Sequence, residues 1–232
     1  MSDPTSPEAP RPIRPGPPTL PDATLTSAGA EHALVVDLRS SMAYMGGHLP
    51  GALHLPMGPE VERLAGRVLP SDQDFFLLLQ HADDGQPAWE ALERAGFTRV
   101  RGLLAPSALG TWARDGGKLE IIPQISSEEA VDGATAGILE VLDVREESEG
   151  SPEGASKGGP PMTRLPLNLW NPWDPTALAA LPSGRPLAVI SAHGRTSPVV
   201  AGLLQRLGVK EVLDVAGGFQ AWEGGEGTGG PF

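Results

Sequence analysis

A short polar loop between a hydrophobic run and a helical pattern offers the clearest candidate for chemistry in this sequence. It lies within VISAHGRTSPVVAGLLQRLG, Val189–Gly208. Where a strand turns into a helix, the backbone amides and the helix dipole favour negative charge, and Arg195 and Thr196 could add donors. The sequence therefore predicts an anion-binding loop. Its residues are Ser191, Ala192, His193, Gly194, Arg195, Thr196 and Ser197.

Two other interpretations of this loop stay open. In a structural interpretation, Ser197 is the N-cap of the helix and Pro198 its first residue. In a catalytic one, Ser191 is a nucleophile, which requires a base; His193 lies in the same loop, and Asp143 could complete a triad. A triad is recognised by its geometry, and loop neighbours rarely point side chains at each other. A Ser191-dependent hydrolase is therefore the remotest hypothesis.

The composition excludes several classes of protein. The formal net charge of -12 argues against a nucleic-acid partner, because phosphate binding needs clustered Lys and Arg. The absence of cysteine excludes disulfides, thiolate nucleophiles and thiolate zinc sites, and the five histidines show no metal-ligand spacing. We therefore predict no metal and no cofactor. Without a signal-peptide pattern or a run long enough to span a membrane, we expect a cytoplasmic protein with no membrane partner.

Two halves of the chain share one plan, which places the loop in a fold. LVVDLR (Leu34–Arg39) and LEVLDVR (Leu139–Arg145) are both buried-strand patterns that end in Asp and Arg. FFLLLQ (Phe75–Gln80) and PLAVIS (Pro186–Ser191) are further apolar strands, each followed by a helical pattern. Such alternation predicts an α/β fold with parallel sheets covered by helices. The predicted division is a disordered Pro-rich tail over 1–22 and two domains over 23–119 and 124–225.

Motifs in both halves resemble those of the rhodanese family. DLRSSMAYMGGHLPGA (Asp37–Ala52) is similar to the family pattern D-V-R-x-x-x-E-Y-x-x-G-H-I-P-G-A, and LGVKEVLDVAGGFQAW (Leu207–Trp222) to its C-terminal pattern. The resemblance implies two rhodanese-like domains in tandem, each a small parallel sheet flanked by helices. It also implies a set of residues that serve the structure. These are Asp37, Arg39, His48, Gly51, Asp143, Arg145, Gly217, Gly218 and Trp222.

The resemblance also bears on activity. In active members the loop after a central strand reads C-x-x-G-x-R-S, and its cysteine carries sulfur as a persulfide that the loop amides hold. Ser191 stands at that position, and the corresponding loop of the first half, QHADDG (Gln80–Gly85), also lacks cysteine. A hydroxyl cannot carry the sulfane sulfur. The leading hypothesis is therefore a catalytically inactive tandem rhodanese-like protein that binds a small anion or a protein partner as a regulatory module. The alternative is an accessory role in sulfur transfer, with the thiol supplied by a partner.

Four tryptophans complete the set of candidate residues. Trp112 and Trp222 are interpreted as core anchors of the two halves. PLNLWNPWDP (Pro166–Pro175) contains Trp170 and Trp173. If these two are exposed, they would form a partner-binding patch; otherwise they would pack against the seam between the domains.

Overall fold

A computed structural model describes residues 16–25, 34–149, 160–174 and 176–224. Within these ranges the chain forms nine strands, seven α-helices and several short 3-10 turns. The elements of the first domain, in chain order, are β1 (Leu34–Asp37), α1 (Ser41–Gly46), β2 (Leu53–His54), α2 (Val61–Val68), β3 (Phe75–Leu78), α3 (Gly85–Arg94), β4 (Val100–Leu104) and α4 (Ser107–Arg114). Those of the second are β5 (Gln124–Ile125), α5 (Ser127–Thr135), β6 (Glu140–Asp143), β7 (Met162–Arg164), β8 (Leu187–Ile190), α6 (Ser197–Arg206), β9 (Val212–Val215) and α7 (Gly218–Gly224).

Each domain is built on one parallel sheet. The first sheet has the strand order β2-β1-β3-β4 and the second the order β5-β9-β8-β6-β7. The central strands β1 and β8 are buried along their whole length, as expected for apolar strands covered by helices on both faces. The predicted α/β class and the division into two domains, each a small parallel sheet flanked by helices, are thus confirmed. No helix in the described part of the chain is long and apolar enough to cross a membrane.

The N-terminal segment extends the first sheet. The backbone N–H of Leu20 donates to the carbonyl of Leu103 at 2.8 Å, and that of Leu103 donates to Pro18 at 2.9 Å. The Leu20 side chain lies directly over Gly102, where a Cβ would collide with it. The prediction of disorder over 1–22 is therefore wrong for residues 16–22, because they pair with the open edge of β4; residues 1–15 lie outside the described ranges.

The two domains share one hydrophobic core. A single cluster of buried side chains runs from Val36 of β1 through Leu53 of β2 to Val199 and Leu203 of α6. A smaller cluster lies on the other face of the second sheet, under α5 and α7, and contains Trp222 at 7% exposure. Because α6 packs on the first domain, the helix that follows the candidate loop is held from both sides.

Trp170 belongs to the shared core. Its side chain is only 8% exposed, and the partly buried Trp173 packs against the same cluster. This agrees with the packing alternative for the Trp segment rather than with an exposed patch. The exact domain boundaries over 23–119 and 124–225 stay a prediction, since a continuous core marks no clear limit.

Candidate functional site

The loop from Ser191 to Ser197 lies between the carboxyl end of β8 and the first turn of α6. Ser191 is buried at 1% exposure. Its Oγ accepts a hydrogen bond from the Ser197 backbone N–H at 3.1 Å and donates to the Ser197 Oγ at 3.2 Å. Gly194 has a φ of 70°, a conformation that a residue with a Cβ rarely adopts. Ser191 thus ties the start of the loop to the start of the helix.

The structure corrects the expected cap of α6. Ser197 is the first residue of the helix, with Pro198 second, and Thr196 occupies the N-cap position without a side-chain cap bond. The oxygen that satisfies the orphan N–H of Ser197 comes from Ser191, six residues earlier. Sequence reasoning placed the cap within the local pattern, whereas the closed loop brings a distant hydroxyl to the same N–H.

Asp214 is completely buried on β9, the strand that pairs with β8. It is the strand partner of Val189, two residues before Ser191, and its Oδ2 accepts from Gln124 Nε2 at 2.8 Å. Burial raises the pKa of Asp214, while the hydrogen bond from the Gln124 side chain lowers it in part. Its Oδ1 has no hydrogen-bond partner among the described residues. The strand beside β8 therefore carries a buried carboxyl group that sequence reasoning missed, although the Asp within the apolar VLDV run was a signal for it.

The start of α7 braces the loop from the other side. The backbone N–H of Phe219 donates to the Ser191 carbonyl at 2.8 Å, and that of Gln220 donates to Ala192 at 3.1 Å. A Cβ on Gly218 would collide with the backbone of the loop, and both Gly217 and Gly218 have positive φ. The paired glycines of the C-terminal motif are thus required by a close backbone approach. This close approach lets the N–H groups of Phe219 and Gln220 bond the carbonyls of Ser191 and Ala192.

Four backbone amides of the same loop are not bonded within the part of the protein that the structure describes. Across the described residues, no protein acceptor receives the backbone N–H of His193, Gly194, Arg195 or Thr196. These four residues directly precede a ten-residue helix, and the dipole of that helix adds partial positive charge at its N-terminal end. The arrangement can hold a negatively charged group.

A small open pocket of about 50 Å³ lies at the mouth of the loop. Its walls come from both domains, with Glu60 of the first domain and Glu149 of the second facing the loop residues. Glu60 also pairs with Arg63 at 3.1 Å, and Arg63 contacts Glu146. The pocket therefore combines free amides and Arg195 on one side with carboxylates on the other. Neither Glu60 nor Glu149 was a candidate from the sequence, because each lies far along the chain from the loop.

The residues of the hydrolase hypothesis are engaged elsewhere. The Ser191 hydroxyl is bonded to Ser197, and the exposed His193 has its Nδ1 3.2 Å from the Oε1 of Gln220. Asp143 forms a buried ion pair with Arg145 at 2.8 Å. Within the described ranges the structure thus brings no two of Ser191, His193 and Asp143 into hydrogen-bonding contact. Those ranges also contain no group of three His, Asp or Glu side chains that could hold a metal ion.

The two Asp–Arg motifs have the same geometry in both domains. The Arg39 backbone N–H and guanidinium both bond Asp37, and the guanidinium also reaches the carbonyl of Gly47 at 2.8 Å. Arg145 repeats the pairing with Asp143, and its guanidinium lies 3.5 Å from the centre of the Phe219 ring. Both pairs fix the chain just after a central strand, so they position loops and leave no free charge for a ligand.

His48 and Gly51 lie at the seam between the domains. His48 is 1% exposed, with Nδ1 2.9 Å from the Tyr44 carbonyl and Nε2 3.1 Å from the Gln205 Oε1 of α6. Burial lowers the pKa of His48. The hydrogen bond with the Tyr44 carbonyl and the charge of Glu120 act in the opposite direction and offset part of this shift. Gly51, at a φ of 72°, presents its carbonyl to Arg206. The GHLPGA segment is therefore a turn that also forms hydrogen bonds with α6.

The loop of the first domain has lost the open form. Residues Ala82–Asp84 make a 3-10 turn that runs directly into α3, and the His81 backbone N–H bonds the Asp84 carboxylate at 2.8 Å. The Asp84 carboxylate thus closes the turn on itself, and Asp83 and Asp84 are both part of the turn.

Comparisons with known proteins follow the same division into halves. The model of the rhodanese-like domain family matches residues 21–104 and 126–224. Among solved structures, the chain is similar to a rhodanese-like domain from Anabaena sp., with 25% identity over 45% of this chain and 80% of that chain and a TM-score of 0.37. A 3-mercaptopyruvate sulfotransferase from Escherichia coli is 18% identical over 84% of this chain and 96% of its own, at a TM-score of 0.34. A protein of unknown function from Rhodopseudomonas palustris, described as a possible tyrosine phosphatase, is 23% identical. The match covers 46% of this chain and 83% of that chain, with a TM-score of 0.36. No curated protein matches the chain.

Proposed function

The chain belongs to the rhodanese family, and from this premise we propose that it has no sulfurtransferase activity and acts as a binding module. Its second loop would hold the anionic group of a small ligand between the two domains. The observation that carries the proposal is the state of Ser191. This residue stands where the family carries sulfur on cysteine, and here its hydroxyl is buried and committed to Ser197.

Ligand binding without catalysis is supported by what the loop keeps. The amides of residues 193–196 have no acceptor within the described part of the chain, and Arg195 is exposed at the mouth. The loop thus retains its donors while the nucleophile is replaced. A regulatory role follows from the position of the pocket, since a ligand there would contact both domains.

The carboxylates of Glu60 and Glu149 narrow the class of ligand. A purely anionic ligand would meet both of them across the pocket, and like charges at close range repel. A small zwitterion avoids this conflict, because its anionic group can face the loop amides while its ammonium group faces the carboxylates. The proposed ligand therefore carries both charges.

The alternative is an accessory role in sulfur transfer. The same open amides could receive the persulfide of a partner protein, which would supply the missing thiol. This alternative predicts that adding the protein accelerates the loss of sulfur from a persulfide carrier to cyanide. A small-ligand module would leave that rate unchanged.

The catalytic part of the proposal is tested by thiosulfate-to-cyanide sulfur transfer with the wild type and Ser191→Cys. We expect no activity from the wild type, since no thiol is present. An active wild type would overturn the proposal. Sulfur loading of Ser191→Cys, measured as the mass of one added sulfur atom, would show that the loop keeps the shape needed to hold a charged sulfur.

The binding part is tested by titration calorimetry with thiosulfate as the anionic probe and taurine as the zwitterionic one. We expect taurine to bind more tightly than thiosulfate, and Glu60→Gln to reverse that order. Arg195→Gln should weaken both, whereas Arg185→Gln, an exposed arginine just before β8 at the opposite end of the strand, should have no effect. Failure of both probes to bind would reject the module.

A further inference from the structure

The imidazole of His193 lines the pocket on the loop side. Its Nδ1 lies 3.2 Å from the Oε1 of Gln220 on α7. The backbone N–H of Gln220 also bonds the Ala192 carbonyl, so one residue of α7 holds both the ring and the backbone just before it. Among the described residues no hydrogen bond engages the Nε2 of His193. The second ring nitrogen is therefore available to a ligand.

The charges around His193 come from both sides of the pocket. Arg195 lies two residues further along the same loop, and Glu60 and Glu149 form the opposite wall. Helix α7 contributes the neutral side chain of Gln220. The pocket thus sets a cationic loop side against an acidic wall, and His193 belongs to the loop side.

The two carboxylates of the wall are held by residues outside the pocket lining. Glu60 pairs with Arg63 at 3.1 Å, and the Oε2 of Glu149 accepts from the Glu146 backbone N–H at 2.9 Å. Neither Arg63 nor Glu146 lines the pocket. The acidic wall is therefore fixed in place, whereas the loop side carries a group whose charge depends on pH.

Protonation of His193 changes what the loop side can bind. Histidine is the side chain whose charge ordinarily changes between about pH 5 and 8. While the ring is neutral, the acidic wall favours an ammonium group, which only a zwitterion can supply together with an anionic group. Once the ring is an imidazolium, it attracts the anionic group, repels the ammonium group and itself balances the charge of the wall.

We propose that His193 determines the charge class of the ligand: the neutral imidazole favours a zwitterion, and the imidazolium favours a simple anion. This inference rests on the proposed function, because it names the regulation of the same pocket. The loop then responds to pH through one side chain at its mouth. The buried hydrogen bonds between Ser191 and Ser197 need not change.

The experiment is titration calorimetry of the full chain with taurine and with thiosulfate, at about pH 7.5 and about pH 5.5, on the two sides of the usual histidine titration. Both probes keep their charges over this range. We expect the affinity for thiosulfate to rise about fivefold at the lower pH, the effect of one added charge at an open site. The affinity for taurine should change less than about twofold, because its two charges respond in opposite directions.

Two variants fix the charge at the exposed position 193. His193→Gln should keep the neutral-pH ratio of the two affinities at both pH values. His193→Lys, which stays positively charged throughout the range, should show the acid ratio at both. His81→Gln is the matched control, because His81 is exposed in the corresponding loop of the first domain and does not line the pocket; it should behave as the wild type.

The inference is overturned if the ratio does not move with pH in the wild type. A ratio that moves equally in His193→Gln overturns it as well, because another group would then be titrating. In both cases binding of taurine at neutral pH leaves the proposed function standing. Failure of both probes to bind at either pH would reject the binding module and this inference together.

Discussion

Alanine at position 202 tests how tightly the loop-bearing helix α6 is held by the first domain. The added Cβ would lie 2.9 Å from Cε1 and Cζ of Tyr44 and still closer to its hydroxyl oxygen. Tyr44 cannot easily move aside. It is fully buried, its hydroxyl donates to the Ala52 carbonyl at 2.8 Å, and its ring is stacked on His48 at 3.9 Å and on His54 at 4.5 Å.

The magnitude is the balance of two opposing effects. Forcing an extra carbon into a packed core typically costs about 1–3 kcal/mol, whereas replacing glycine by alanine inside a helix gains up to about 1 kcal/mol. Gly66 of α2 has open space at its Cβ position, so Gly66→Ala measures the helical gain alone. We expect Gly66→Ala to raise the free energy of unfolding by up to about 1 kcal/mol. We expect Gly202→Ala to lower it by about 1–2 kcal/mol.

The assay is urea unfolding of the full chain, repeated in a Tyr44→Phe background. Phenylalanine removes the oxygen that the new Cβ would approach most closely, so Gly202→Ala should cost less there than in the wild type. A coupling energy between the two positions would confirm direct contact across the seam. If Gly202→Ala were as stable as Gly66→Ala, the close packing of α6 against Tyr44 would be refuted, and with it the view that the first domain fixes the loop.

Three further predictions concern the loop, the buried acid of β9 and the N-terminal segment. Ser191→Ala removes the oxygen that satisfies the Ser197 N–H, and it should lower the free energy of unfolding by about 1–2 kcal/mol in urea titrations; an unchanged midpoint would contradict the capping role. Because burial raises the pKa of Asp214 in the folded state, its contribution to stability is fully present below its unfolded pKa and is lost as pH rises through the folded one. Asp214→Asn should therefore stabilise the protein relative to wild type at neutral pH, with the difference shrinking in acid unfolding curves toward pH 3.8; a difference that grew in acid would refute this sign. Leu20→Ala should cost about 1–2 kcal/mol by thermal unfolding, since the side chain is partly buried over Gly102; no loss would show that the segment does not hold the edge of the sheet.

The fold could be predicted because its signals are local and repeated. Each domain begins with an apolar strand that ends in Asp and Arg, and the pairing of Asp37 with Arg39 recurs between Asp143 and Arg145. Strand periodicity and helix-ending glycines depend on the same short windows. The resemblance to rhodanese motifs then supplied the tandem arrangement of two small parallel sheets, which composition alone does not determine.

The candidate site could be predicted only for the residues that are contiguous in the chain. The loop over 191–197 is one segment, so its amides and its serine were visible in the sequence. Glu60 reaches the pocket because α6 packs on the first domain, and Asp214 lies beside Val189 because β9 pairs with β8. Both depend on tertiary pairing, which no local pattern encodes. The capping of Ser197 by Ser191 was missed for a different reason: both residues lie in the loop, but the bond depends on how the loop closes, which their residue types do not encode.

The serine that stands in place of the family's cysteine also holds the loop in shape. The Ser191 Oγ holds the first N–H of α6, and Phe219 and Gln220 hold the Ser191 and Ala192 carbonyls. The loop therefore keeps its shape by hydrogen bonds that a hydroxyl can make, and within the described ranges no protein acceptor takes the amides of residues 193–196. The proposed ligand would take those amides, so the proposal needs no reactive atom at position 191.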